Sequence, residues 1–267
     1  EPGYMPTFDN GATTSELKLL ARLGGPQVHP PVKAAIERGF DLIFTAQMPN
    51  GGWPQSFPLR GSYHDLCTHN DNVTANILDL LIDAQQMPAL YPLSELSRAK
   101  LQQTIDRAAA HLLDEQIWLN DSEGAWGQQH DPIRHTLVSA RSYEPAALAT
   151  TETANLVYTL MRLPNPSPRL IRAIDGAVNW LENTKIKGRR LVRYEDRSSE
   201  LVLDPQAPDL WPRFVHPTSG LALFGDRNGR QYYSISDISL ERQHHYGWYQ
   251  IYPERTLEAY TKWSETR

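Results

Sequence analysis

A chain of 267 residues with 40% hydrophobic and 21% charged residues, and with apolar runs of only a few residues, reads as one soluble globular domain over residues 1–267, with no membrane span. Its net charge of -5 argues against nucleic acid, because neutralising phosphates needs a basic surface; within that total, 20 Arg stand against 6 Lys, and the planar guanidinium suits bidentate capture of carboxylates or phosphates. The single cysteine, Cys67, excludes an internal disulfide framework, and no basic and apolar leader precedes Glu1, which fits either a cytoplasmic protein or a mature chain whose signal has been removed.

In chain order, helical periodicity dominates. A short helix is expected around Ser15 to Leu23. From Pro31, the positions Val32, Ile36, Phe40, Ile43 and Phe44 recur at three or four residues and predict the next helix. The same spacing recurs at Val73, Ile77, Leu80 and Leu81, at Leu101, Ile105, Ala108 and Leu112, and at Leu148, Leu156 and Leu160. It returns at Leu170, Ile174, Val178 and Leu181, and a last helix is expected near Arg255 to Trp263, for about seven in all. Extended stretches are expected only at "RRLVRY" and "RQYYSI".

Two of the loops between these helices look alike. "AQMPNGGWPQSFP" and "EQIWLNDSEGAWGQQHDP" each leave a helix through a glutamine, Gln47 or Gln116, and reach a tryptophan followed two residues later by Gln, at Trp53 and Gln55 and at Trp126 and Gln128. "DPQAPDLWPRF" offers Trp211 in a similar setting. The tryptophan spacings, 73 and 85 residues from the numbering, are about twice a helix plus a loop, so each repeat is expected to be a helical hairpin. Three hairpins closed on each other make an α/α toroid whose aromatic loops share one end, and loops on a rigid scaffold are where chemistry usually sits.

No HExxH, P-loop, Rossmann fingerprint or GxSxG elbow is present, and the His244–His245 pair lacks a second matched cluster. What remains is a set of loop Asp and Arg residues: Asp9 in "TFDNGATTSEL", Asp71 in "HNDNVTAN", Arg141 in "SARSYEP", Arg213 in "LWPRF" and Arg227 in "FGDRNG". Taken singly, each has a structural reading. Asp9 in Asp-Asn-Gly forms turns, Asp71 is placed as a helix N-cap, Asp226 with Asn228 and Gly229 makes another turn, and Arg141 and Arg213 are either surface charges or partners of acidic neighbours.

Taken together, "TFDNGAT", "NGGWPQSFP" after a helix, "NDN" opening the next, "ARSYE", "WPRF" and "GDRNG", in this order and spanning Thr7 to Gly229, resemble the family-ten pectate lyases. The resemblance implies an all-α fold, an incomplete (α/α)3 toroid with long irregular loops and minor short strands. It also implies a secreted, monomeric catalytic domain that uses Ca2+ to cleave polygalacturonate by anti β-elimination, with neither nucleic acid nor membrane as partner. Carried over by motif, Asp71 and Asp9 hold the cation and act at the cleavage point, and Arg141 is the catalytic base. Arg213 and Arg227 bind substrate carboxylates, with the aromatics Trp53 and Tyr143 also in substrate binding. Thr68 and His69 depart from the expected acidic or aromatic lead into the Asn-Asp pair and leave the exact ligand set open. Two other readings remain at this point: an inverting glycoside hydrolase using Asp71 with Glu144 or Asp9, and a silent polyuronate-binding module.

Overall fold

The computed structural model describes residues 5–24 and 29–267. Two compact units divide the chain, one of Glu1–Glu115 with His130–His135 and one of Gln116–Gln129 with Thr136–Arg267. Among the described residues, eight α-helices are joined by long loops carrying 3-10 turns and strands of two to five residues, and no sheet closes on itself. The all-α class read from periodicity therefore holds.

In the first unit, α1 (Ala12–Gly24) packs on α2 (Pro30–Ala46), and α3 (Val73–Gln86) on α4 (Glu95–Glu115). α2 starts on two prolines, which lack the N–H that a first turn leaves unused. Its stripe Ile36, Phe40 and Ile43 is fully buried. Contact with α1 is close enough that a Cβ on Gly39 would stand 2.3 Å from a Leu17 methyl, so a larger residue here would have to displace that side chain. α3 is apolar on most sides, with Val73, Ile77, Leu78, Leu80, Leu81 and Ile82 all at 0% exposure, as befits a core helix.

In the second unit, α5 (Thr150–Leu160) packs against α6 (Pro168–Thr184) and α8 (Pro253–Ser264), and a short α7 spans Leu240–His244. Leu148, expected inside a helix, lies instead in a two-residue strand. Leu148–Ala149 pairs with Phe214–Val215, so the chain stays extended through Ala149 and α5 starts one residue later. Phe214–Val215 pairs in turn with Ala222–Gly225, and that strand with Gln231–Tyr232, over a buried cluster that includes Phe214, Phe224, Trp248, Ile235 and Ile238. "RRLVRY" forms the hairpin Arg189–Arg193 with Ser199–Leu203, whereas "RQYYSI" contributes only Gln231–Tyr232.

The looked-for repeat is present in hydrogen bonds. Gln47, just past α2, donates to the Thr104 carbonyl at 3.0 Å, and Gln116, just past α4, donates to the Ala173 carbonyl at 2.9 Å, each reaching 57 residues downstream. Trp53 Nε1 donates to the Ile43 carbonyl in the last turn of α2, and Trp211 Nε1 to the Leu181 carbonyl at the equivalent place in α6. Each indole thus satisfies a carbonyl that a helix end leaves open. Trp53 is 0% exposed, and so it is a structural pin with no surface to offer a polymer, against its expected place in substrate binding.

Candidate active site

Asp9 and Asp71 sit on two turns built to one pattern. Asp9–Gly11 and Asn70–Asn72 are 3-10 turns whose last two residues are left-handed: Asn10 and Gly11 at φ 49 and 70, Asp71 and Asn72 at φ 51 and 62. Each turn is locked by a threonine two residues after it, Thr13 Oγ1 donating to the Thr7 carbonyl and Thr74 Oγ1 to the Thr68 carbonyl, both at 2.7 Å. Asparagine, aspartate and glycine tolerate this backbone best, which explains "DNG" and "NDN". The turns pack against each other, so the first unit gathers both aspartates in one loop cluster.

The N-cap reading of Asp71 fails. α3 opens after Asn72, with no side-chain cap, and the Asp71 carboxylate instead accepts from Asn70 Nδ2 at 2.6 Å. Asp9 Oδ1 is buried with no hydrogen-bond partner. An orphaned buried carboxylate oxygen is costly without a cation or donor, and oxygen donors of this kind are what calcium takes, so the residues present fit such an ion.

The second unit gathers the arginines. Guanidiniums of Arg141, Arg227 and Arg242 lie 5.3, 5.5 and 4.4 Å from the centre of the buried Tyr143 ring. Arg213 lies 4.8 Å over Tyr246, whose ring meets Tyr143 edge-on at 5.3 Å. This aromatic pair therefore brings "ARSYE", "WPRF" and "GDRNG" together. Gly225 is required beneath it, since a Cβ there would be 2.3 Å from the Tyr143 carbonyl oxygen. Beside Arg141 opens a cavity of about 230 Å³, lined also by Ser142, Glu144, Arg230 and Gln231.

Each arginine has an acidic partner, as one reading of Arg141 and Arg213 expected without naming which. Arg141 grips the buried Glu144 through Nε and Nη2 at 2.7 and 2.6 Å, and Tyr246 donates its hydroxyl to the same carboxylate at 2.8 Å. Burial pushes the Glu144 carboxyl up, but these hydrogen bonds outweigh it and hold the group below the usual carboxylate range. The same bonds raise the Arg141 pKa further. Arg227 is paired bidentately with Glu241 at 3.0 Å through both nitrogens, and Arg242 shares that carboxylate, which Arg242 first and Arg227 second lower to about 2. Arg213 Nη2 reaches the buried Glu152 at 3.5 Å, where Gln128 also donates at 3.0 Å. Glu152, Tyr246, Glu241 and Arg242 carried no motif. Gln128 was visible only as a repeat residue. His244 and His245 touch edge-on but join no group of His, Cys, Asp and Glu close enough to share an ion among the described residues.

A family model described as pectic acid lyase matches residues 2–257. Two solved structures of the family 10 polysaccharide lyase from Cellvibrio cellulosa are similar to the chain, each at TM-score 0.89 and 25% identity. One is a mutant in complex with trigalacturonic acid, covering 97% of this chain and 82% of that one; the other covers 97% and 81%. No curated protein matches the chain significantly.

Proposed function

The chain belongs to the pectic acid lyase family, a lyase acting on polysaccharides, and from that premise we propose that it cleaves polygalacturonate by calcium-assisted β-elimination. The observation that carries this reading is the convergence of Arg141, Arg213 and Arg227 on the Tyr143–Tyr246 pair. Three guanidiniums on one aromatic platform form a receptor for repeated carboxylates. The trigalacturonic acid bound by the similar lyase supports the same polymer as substrate. A polymer of this size does not cross a cell envelope, and so the enzyme acts outside the cell.

Elimination removes the C5 proton, forms the C4–C5 double bond and expels the glycosidic oxygen from C4, which takes a proton from water to become the new hydroxyl. Asp9 and Asp71 would hold the calcium, which when bound would neutralise the uronate carboxylate and acidify the C5 proton. Arg213 and Arg227 hold neighbouring uronates and set the register of the chain. Arg141 takes the C5 proton. In its resting geometry it is held protonated by Glu144, so substrate binding has to draw it off that carboxylate and its own proton has to pass to water before it can take the one from C5. Glu144, 2% exposed and with a depressed pKa, is the poorer base and serves to place Arg141.

Polygalacturonate mixed with the protein is expected to yield the ultraviolet absorbance of a 4,5-unsaturated product, to lose it on chelation and to regain it with calcium. Reducing ends without absorbance indicate a hydrolase. Binding with neither signal indicates a carbohydrate-binding module.

A further inference from the structure

Five side chains that the polyuronate chemistry leaves unused meet in the first unit around one buried carboxylate. Glu115 ends α4 with its side chain at 0% exposure. His69 Nε2 stands 2.8 Å from Glu115 Oε2, His111 Nε2 3.1 Å from the same oxygen, and His130 Nδ1 3.7 Å from Oε1, all three rings fully buried. Cys67, also buried, completes the set. The donor atoms of Cys67, His111 and Glu115 lie within 4.8 Å of one another, as do those of His69, Glu115 and His130.

Hydrogen bonding accounts for only part of this arrangement, the His69 Nε2 contact with Glu115 Oε2 at 2.8 Å. Neither nitrogen of His111 has a hydrogen-bond partner although one lies 3.1 Å from a carboxylate oxygen, and His69 Nδ1 and Glu115 Oε1 are likewise unsatisfied. Four such buried atoms in one cluster call for something else to satisfy them. Close donors that do not bond each other are what the ligands of one ion look like. Around a tetrahedral ion with bonds of about 2.0–2.3 Å, neighbouring donors stand roughly 3.3–3.7 Å apart. The wall nearest the sulfur is left open by Gly52, where a Cβ would stand 2.7 Å from His111 Nε2 and 2.8 Å from Cys67 Sγ. A carboxylate and a cysteine, whose thiol gives up its proton on binding the ion, together balance a dication.

We propose that this cluster is a structural site for one zinc-type divalent ion, held by Cys67, His111 and Glu115 with a solvent oxygen as the fourth ligand, and with His69 and His130 orienting the carboxylate. Sulfur and imidazole donors select borderline ions of this kind, whereas the oxygens of Asp9 and Asp71 suit calcium, so the two sites are chemically distinct. His69 is the residue that departs from the expected lead into the Asn-Asp pair. Its carbonyl accepts from Asn72 N at 3.1 Å and its Nε2 meets Glu115 Oε2 at 2.8 Å, so an ion on that carboxylate braces the turn that carries Asp71.

The test is metal content and spectrum, which read the site independently of activity. The intact protein, produced with zinc and separately with cobalt, is dialysed against a chelator and analysed for retained metal. Stoichiometric zinc is expected, and in the cobalt form a thiolate-to-cobalt charge-transfer band with the visible bands of a four-coordinate ion. Glu115→Gln and His111→Ala should bind zinc at least about 100-fold more weakly, and Cys67→Ser should lose the charge-transfer band. Gly52→Ala should also lose zinc, because the methyl fills the notch without removing a ligand. Where a ligand variant fails to fold, the parent protein decides alone: no retained metal, or bound cobalt without a thiolate band, overturns the site.

Discussion

The proposed base role sets two opposed demands on Arg141: a base must give up its proton, and Glu144 makes the guanidinium keep it. If Arg141 takes the C5 proton, Arg141→Ala should cut turnover by about 10²- to 10⁴-fold with substrate binding little changed, and Arg141→Lys should keep only a trace because the ammonium cannot match the forked geometry. Rates for Arg141→Ala within tenfold of the parent would remove it from the role. Stability reports on the same pair. The folded pKa of Glu144 lies below its unfolded value, so the stabilisation is present above about pH 4.3 and lost as pH falls through the folded pKa. Thermal midpoints measured from about pH 6 to pH 3 should therefore fall more steeply for the parent than for Glu144→Gln. Parallel curves would mean the pair contributes no linkage. Arg141, Arg213 and Arg227 were legible because each sits in a motif. Their partners were not, since Tyr246 meets Glu144 across 102 residues and Arg213 meets Glu152 across 61, and no local pattern encodes such pairs.

Among elements, long helices announced themselves through the 3.6-residue period, whereas strands of two residues have no period to read, which is why Leu148 was assigned to a helix. The Asn-Asp-Asn turn misled for a different reason. Asn and Asp favour both helix caps and left-handed backbone, and only the fold decides which preference is used. At Asp71 it is the left-handed one, φ 51. This separates charge from backbone in a pair of variants. Asp71→Asn keeps a side chain at ease in that conformation and removes the charge, so it should remain within about 0.5 kcal/mol of the parent in stability while losing activity. Asp71→Ala should lose activity and a further roughly 1–2 kcal/mol, measured by denaturant unfolding. An active Asp71→Asn protein would reduce the carboxylate to a turn former.

At the scale of the whole molecule, an acidic protein is asked to bind a polyanion, so affinity has to come from local charge that outweighs a net -5. The repeat that carries the loops was legible in the tryptophan and glutamine spacing, but the charge arrangement was not, because an excess of arginine says nothing of where the guanidiniums point. Arg227 is 62% exposed and Arg213 only 15%, and this difference predicts how salt acts. Between about 0.1 and 1 M salt the screening length shrinks from about 10 to about 3 Å, which weakens exposed charges far more than buried ones. With calcium held saturating, KM for polygalacturonate should rise several-fold over that range while kcat changes little. Arg227→Ala should flatten the salt slope. Arg213→Ala should raise KM at every salt concentration and leave the slope nearly intact. Methyl esterification of the polymer, which removes the carboxylates themselves, should raise KM for the parent more than for either variant. If the two variants exchange behaviours, the exposed arginine is not the long-range contact; if salt leaves KM unmoved in the parent, the uronate charge is not what this surface reads.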